Sequence, residues 1–163
     1  HLAAADRRVQ KICIWTPDKD LAQCVRGDRV VQIVRRAKPP IRNEDGVRKK
    51  FGVSPALIPD FLALVGDSAD GYPGIAGIGV IGAARLLNEY GPIEAFPKKL
   101  LVGTREQALL FKRLATLRTN ARLFRNVDNL RWRGTTAAFV ALTERMGAPR
   151  LLDRVNAVAG SLE

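Results

Sequence analysis

Four aspartates stand in two close pairs, Asp18 with Asp20 and Asp67 with Asp70, and they carry the most chemistry in the chain. Carboxylate oxygens are hard ligands that suit Mg2+ or Mn2+. If the pairs converge, their like charges repel unless cations neutralise them. Two cations about 4 Å apart can activate water, stabilise a leaving oxygen and clamp a phosphate. Either pair alone is equally at home in a turn or at a helix cap. The surroundings of the second pair narrow the choice. In the run GDSADGYPGIAGIG, Gly74, Gly77 and Gly79 follow the aspartates at once and lead into an apolar stretch. Glycine lets the backbone turn with positive φ and approach a phosphate closely. Exposed amides at the start of a helix then make a nest for an anion. A cation site beside a phosphate site points to phosphodiesters.

The elements that must position these residues read as α/β followed by helices. Residues 2–9 are alanine-rich and expected to be helical. An apolar run at 11–15 suits a buried strand, and the loop after it carries Asp18 and Asp20 at the strand's carboxyl end. Residues 29–34, rich in β-branched side chains, read as a second strand of a parallel sheet. Helices are predicted over 44–51, over 59–65 with Pro59 in the first turn, and over 80–90, ending at Gly91-Pro92. A longer helix is expected over 104–124, opened by a Thr104–Gln107 capping box. Its Leu109, Leu110, Leu114, Leu117 and Leu123 are expected to face the core. Two closing helices fall at 135–146 and 149–158. Ile75 and Ile78 should anchor the glycine loop.

Charge agrees with a phosphate partner. Lys and Arg number 27 against 16 acids, a net charge of +11, and 19 of the 27 are Arg. Forked guanidinium donors suit phosphates, and this balance favours nucleic acid over a small neutral substrate. Arg85 could add a phosphate contact, and Lys49, Lys50, Lys98 and Lys99 could extend a basic track. Trp15, Trp132, Tyr72 and Tyr90 are candidates for stacking, although such aromatics usually belong to cores. The only histidine is His1, which nearly excludes histidine catalysis. Cys13 and Cys24 make neither a disulfide framework nor a zinc site and are expected to be packed thiols. No apolar run approaches the ~20 residues of a membrane span. A soluble, cytoplasmic monomer is the expectation.

The segments Thr16-Pro-Asp-Lys-Asp-Leu-Ala-Gln23, Phe51-Gly-Val-Ser-Pro55, the stretch 59–74 and Gly77-Ile-Gly79 together resemble the bacterial 5′→3′ exonuclease family. That family includes the 5′-nuclease domain of DNA polymerase I and the related flap endonucleases. The resemblance is dense over 11–90 and weaker to about 134. It implies a PIN-like parallel-sheet nuclease core followed by a mostly helical region with a helix–three-turn–helix DNA-binding motif. On that reading, residues 1–42 are the carboxyl part of the core. Residues 43–134 are the DNA-binding region, with the hairpin at 66–90, and 135–163 are closing helices.

The resemblance also implies Mg2+- or Mn2+-dependent cleavage near 5′ ends and flaps of DNA, RNA-primer hybrids included. Asp18, Asp20, Asp67 and Asp70 would be catalytic metal ligands. Gly74, Gly77, Gly79 and Arg85 would hold duplex DNA, and the 74–79 carbonyls could hold K+. Within the hairpin the chain departs from the family, with Gly71, Ala76 and Ile81 where Asn, Pro and Lys are common. The missing Lys removes one expected phosphate contact. Family members also carry further acids upstream of the first strand found here. The 163-residue chain is therefore expected to be the carboxyl part of a nuclease, inactive or weak alone. Two alternatives stay open: a non-catalytic duplex-binding module, and a basic RNA- or ribosome-associated protein.

Overall fold

A computed structural model of the chain describes residues 1–160, so the last three residues of the expected closing region lie outside the described part. The chain divides into two compact units, 1–121 and 122–163.

The first unit opens with a short helix, α1 (Leu2–Ala5), rather than one reaching residue 9. Asp6 is already extended there. The Arg29 guanidinium donates to the carbonyls of Ala4, Asp6 and Val9, so those acceptors are satisfied without helical turns. Strands β1 (Ile12–Trp15) and β2 (Val30–Ile33) pair in parallel, Ile12 opposite Val30 and Trp15 opposite Ile33. An unforeseen antiparallel strand, β3 (Ile41–Arg42), joins the far side of β2. The expected α/β class thus holds, as a small mixed sheet followed by helices.

β2 is buried, but β1 is not as buried as its apolar composition suggested. Trp15 is 73% exposed and Cys13 is exposed, so Cys13 is not the packed thiol expected; Cys24 is half-buried. The reason is position. β1 lies at one edge of the sheet, whereas β2 lies between two strands.

Helix α2 (Glu44–Phe51) starts where the Asn43 side chain accepts the Gly46 N–H at 3.0 Å, and it ends at Gly52 in the left-handed region. Helix α3 (Ile58–Val65) is apolar almost all round. Ile58, Leu62 and Leu64 are nearly or fully buried, each contributing roughly 1.5–3 kcal/mol. A helix with no polar face must be surrounded. Accordingly α3 packs against α4 (Val80–Tyr90), α5 (Arg105–Ala115) and the short 3-10 turn Asp20–Cys24. Within this bundle buried Asp60 accepts the Ile93 N–H at 2.8 Å and pairs with Lys112 at 2.8 Å; Lys112 also reaches Glu94. That network joins α3 and α5 to the Ile93–Ala95 turn.

Helix α5 is shorter and rolled differently from the expectation. It stops at Ala115, and Thr104 makes no side-chain cap. Its buried face is Ala108, Phe111 and Ala115, while Leu110 and Leu114 are 54% and 63% exposed. Leu109 packs partly against the core, as expected, and Leu117 is half-buried, while Leu110 and Leu114 are left outward. Leu123, also expected in the core, is exposed.

The second unit contains a 3-10 turn, Val127–Leu130, closed by a reciprocal Asn126–Asn129 capping box. Helices α6 (Ala137–Arg145) and α7 (Pro149–Gly160) follow and pack on each other. The Thr136 hydroxyl accepts the Phe139 N–H at the start of α6.

Candidate metal and nucleic-acid site

Because β1 and β2 run in parallel, the loop after β1 leaves the sheet at its carboxyl end and carries Asp18 and Asp20. Three interactions hold that loop. The Asp20 N–H donates to the Asp18 carboxylate at 3.1 Å, the Asp18 N–H to the Thr16 hydroxyl, and the Gln32 side-chain amide to the Asp18 carbonyl. Gln32 is fully buried on β2, so the loop is pinned to the middle of the sheet. Gln23 ties the following 3-10 turn to the end of α5, donating to the Ala115 carbonyl and accepting the Leu117 N–H. Gln23, at the end of the Thr16–Gln23 motif, and Gln32 carry no chemistry of their own; only their neighbours reveal their use.

The second pair sits in a turn rather than on a helix. Gly66 ends α3 with φ 91, and residues 67–72 close on themselves through two backbone bonds between Asp67 and Tyr72, 2.8 and 3.1 Å. The Asp67 carboxylate also accepts the Ala69 N–H. This turn brings Asp67 and Asp70 to Asp20: one carboxylate oxygen from each of the three lies within 4.8 Å of the others. Asp18 stays outside that trio, exposed on its loop, but near enough for its charge to act on Asp20.

The electrostatics follow from the crowding. Asp20 is only 9% exposed, and burial pushes its carboxyl up to about 7, aided by a hydrogen bond with Asp70 and the charges of Asp18, Asp70 and Asp67. One of its oxygens, Oδ1, is buried with no hydrogen-bond partner. Burial also raises the Asp67 carboxyl, but the Lys19 ammonium 2.7 Å away and the Ala69 N–H outweigh it and hold Asp67 below the usual range. The buried Tyr72 hydroxyl likewise has no partner, and burial together with Asp20 and its fellow acids raises it strongly. Tyr72 stacks on Phe111 at 5.4 Å, so it is a core residue rather than a free base platform. Tyr90 is half-buried, while Trp15 and Trp132 are exposed.

An unpartnered buried carboxylate oxygen beside two more carboxylates is a donor set that fits a hard divalent cation. Asp20, Asp67 and Asp70 are the residues able to hold one.

The glycine loop separates into two parts. Gly74 is buried where residues 73–75 cross the end of α3; a Cβ there would stand 2.5 Å from the Gly66 nitrogen and the Val65 carbonyl carbon. The Ile75 N–H donates to the Leu64 carbonyl across this crossing. Gly74 therefore sits inside the crossing, with no surface of its own to offer. Gly77 and Gly79 are exposed, with open space where a Cβ would go. Ile75 is buried and Ile78 partly so, the anchoring that their spacing suggested. Gly79 precedes α4 without a side-chain cap, which leaves the first amides of that helix available. Arg85 is exposed on α4. Ile81, at the position of the missing Lys, is 85% exposed.

The family described as 5′-3′ exonuclease, C-terminal SAM fold, matches residues 53–138, a stretch that includes Asp67, Asp70 and the glycine loop. The chain is 38% identical over 146 residues to the DNA polymerase I of Pseudomonas aeruginosa, covering 78% of this chain and 15% of that protein. It is 44% identical over 84 residues to a 5′-3′ exonuclease of Aquifex aeolicus, 52% of this chain and 28% of the relative. The DNA polymerase I of Bacillus caldotenax is 29% identical over 99% of this chain and 20% of its own length. The chain thus spans between 15% and 28% of these relatives. Among solved structures, T5 5′-exonuclease with divalent metal ions (zinc) bound shares the fold. The TM-score is 0.57 at 17% identity, over 65% of this chain and 43% of that one.

Proposed function

Since this chain belongs to the 5′-3′ exonuclease family, we propose that it is the DNA-gripping and partly metal-binding portion of a nuclease that hydrolyses DNA phosphodiesters at 5′ ends and flaps. RNA-primer hybrids are included in that substrate class. The observation that carries the reading is the convergence of Asp20, Asp67 and Asp70 beside a loop with open glycines.

Divalent Mg2+ or Mn2+ at the carboxylates would supply water activation and neutralise charge on the scissile phosphate. The chain's own residues do the rest. With its carboxyl pushed up to about 7, Asp20 is partly protonated near neutral pH, and a bound cation would favour its ionised form. Lys19 holds the Asp67 carboxylate ionised and oriented. Asp18, outside the trio, orients Asp20 through the backbone and adds negative charge at the site's edge. Gly77, Gly79 and the first turn of α4 take the duplex backbone, with Arg85 as an added cation; such contacts position a strand without reading its bases. The K+ that the family resemblance implies belongs on the same loop's carbonyls. The further acids that the family resemblance implies would complete a two-cation site, so the 163-residue chain alone is expected to bind DNA and to be inactive or weak in cleavage.

The test compares cleavage and binding of a 5′-flap duplex by the intact protein and its Asp67→Ala and Asp70→Ala variants. Expected are cleavage losses on the order of a hundred- to a thousandfold, with metal-free binding retained. Wild-type binding without any Mg2+- or Mn2+-dependent cleavage would favour the non-catalytic module instead. No affinity for branched DNA, with preference for A-form RNA, would discard the reading.

A further inference from the structure

Two cations flank the Phe51 ring without a carboxylate partner, Arg42 buried and Lys50 exposed. Arg42, on β3, is only 9% exposed. Its Nη1 donates to the Gln32 side-chain oxygen at 2.8 Å, and through Gln32 it is linked to the carbonyl of Asp18. Lys50, in the last turn of α2, shares the Phe51 ring with it: the Lys50 Nζ lies 4.9 Å and the Arg42 Cζ 6.0 Å from the ring centroid. Among the described residues, neither cation makes an ion pair with a carboxylate. The remaining Arg42 nitrogens are not sealed away, since among the described residues the buried unpartnered side-chain atoms are Asp20 Oδ1 and the Tyr72 hydroxyl.

We propose that Arg42 and Lys50, flanking the Phe51 ring, bind a phosphate of the nucleic-acid strand next to the one held at Asp20, Asp67 and Asp70. Crowding supports this. Burial lowers both groups, and Lys50 is lowered further by the charges of Arg42 and Lys19, a repulsion that an anion between them relieves. Location decides the kind of anion. Gln32 ties Arg42 to the carbonyl of Asp18, and Lys19, whose charge acts on Lys50, bonds Asp67, so the basic pair lies on the side of the acidic loop. A phosphate seated there is joined by the strand to the phosphate at the carboxylates. A guanidinium braced by Gln32 and an aromatic ring is suited to forked phosphate contact. The assignment rests on the nuclease reading above.

The experiment uses the intact protein without divalent cations and a 5′-flap duplex carrying single uncharged methylphosphonate linkages, moved one at a time past the cleavage point. At one linkage the wild type should lose about three- to tenfold in affinity. Lys50→Gln should lose the same on unmodified DNA, and that linkage should then cost it no more than about twofold further. Lys50→Arg should restore the wild-type pattern, and Arg85→Gln should keep full sensitivity at that linkage. Independent, multiplying losses at every linkage would overturn the proposal, as would unchanged affinity of a folded Lys50→Gln protein. Competition by inorganic phosphate without such coupling would reassign the site to a free anion and overturn the strand contact. Cleavage and binding intact but uncoupled defeats this inference alone; no binding by the wild type defeats it together with the nuclease reading.

Discussion

The aspartate turn at 67–72 and the glycine loop at 73–79 are neighbours in the chain and opposites in construction. The turn is closed. Asp67 is 2% exposed, its backbone bonds Tyr72 twice, its carboxylate is held by Lys19 and the Ala69 N–H, and Tyr72 is stacked on α5. The loop is anchored at one end by Gly74 and Ile75 and open at the other, where Gly77 and Gly79 face empty space. The difference matches the two kinds of work proposed for them. Carboxylates that share a cation must be held close despite repulsion, so the protein braces them in advance. A loop that meets a phosphate backbone needs unpaired amides at the surface, and any internal bond there would compete with the partner.

The contrast within the loop can be broken most severely at Gly74. An Ala there would push backbone against backbone at 2.5 Å, and the strain of a positive φ adds to the clash. Gly74→Ala should destabilise the fold by about 4 kcal/mol or more, read as the shift of a urea or thermal unfolding midpoint. A loss below about 1 kcal/mol would mean the crossing is not held as described.

The closed region has its own signature in pH. Asp20 is raised from 3.8 to about 7 in the folded chain. The folded state therefore binds the proton more tightly than the unfolded one. The contribution is complete below the unfolded value of 3.8 and is lost as pH rises through about 7. The metal-free chain should unfold more easily at pH 8 than at pH 5, and Asp20→Asn should flatten that dependence. Equal slopes for the two proteins would show that the carboxylates do not crowd one another.

At the open end the effects are smaller. Gly77→Ala meets no neighbour but keeps a φ of 82, so its stability cost should be about 1–2 kcal/mol. Its affinity for a duplex, measured by fluorescence anisotropy, should fall even where the protein remains folded. Smallest is Arg85→Gln, a single exposed charge. It should reduce the slope of log affinity against log salt by about one unit, without changing stability. If Gly77→Ala and Arg85→Gln left binding untouched while Lys50→Gln abolished it, the phosphate grip would lie with the acidic region and not with the loop.

How much of this was legible depended on the kind of signal. Helices over 44–51 and 80–90 were readable to the residue because Asn43, Gly52, Gly79 and Gly91 act locally, through caps and left-handed or extended turns. The long helix after 104 was not. A periodic pattern offers several stripes, and only the partner selects one; α3 selected Ala108, Phe111 and Ala115, with Leu109 at their margin, over Leu110 and Leu114. Asp18 and Asp70 looked alike as members of acidic pairs. Only the turn at 67–72 and the bond from the Asp20 N–H to the Asp18 carboxylate put Asp70 into the trio and left Asp18 at its edge.

By itself, then, the order of residues determined the chemistry available: paired hard-oxygen ligands, glycines able to turn beside a phosphate, and an excess of guanidinium groups. These are properties of side-chain type and near-neighbour spacing, and they survive without a fold. Tertiary structure alone decided which carboxylates meet, which glycine is buried in a crossing and which is open, and that Arg42 and Lys50 share one ring. Those outcomes join Asp20 to Asp67 and β3 to α2, and packing of α3 against its surroundings settles them, because distances between segments far apart in the chain have no local determinant.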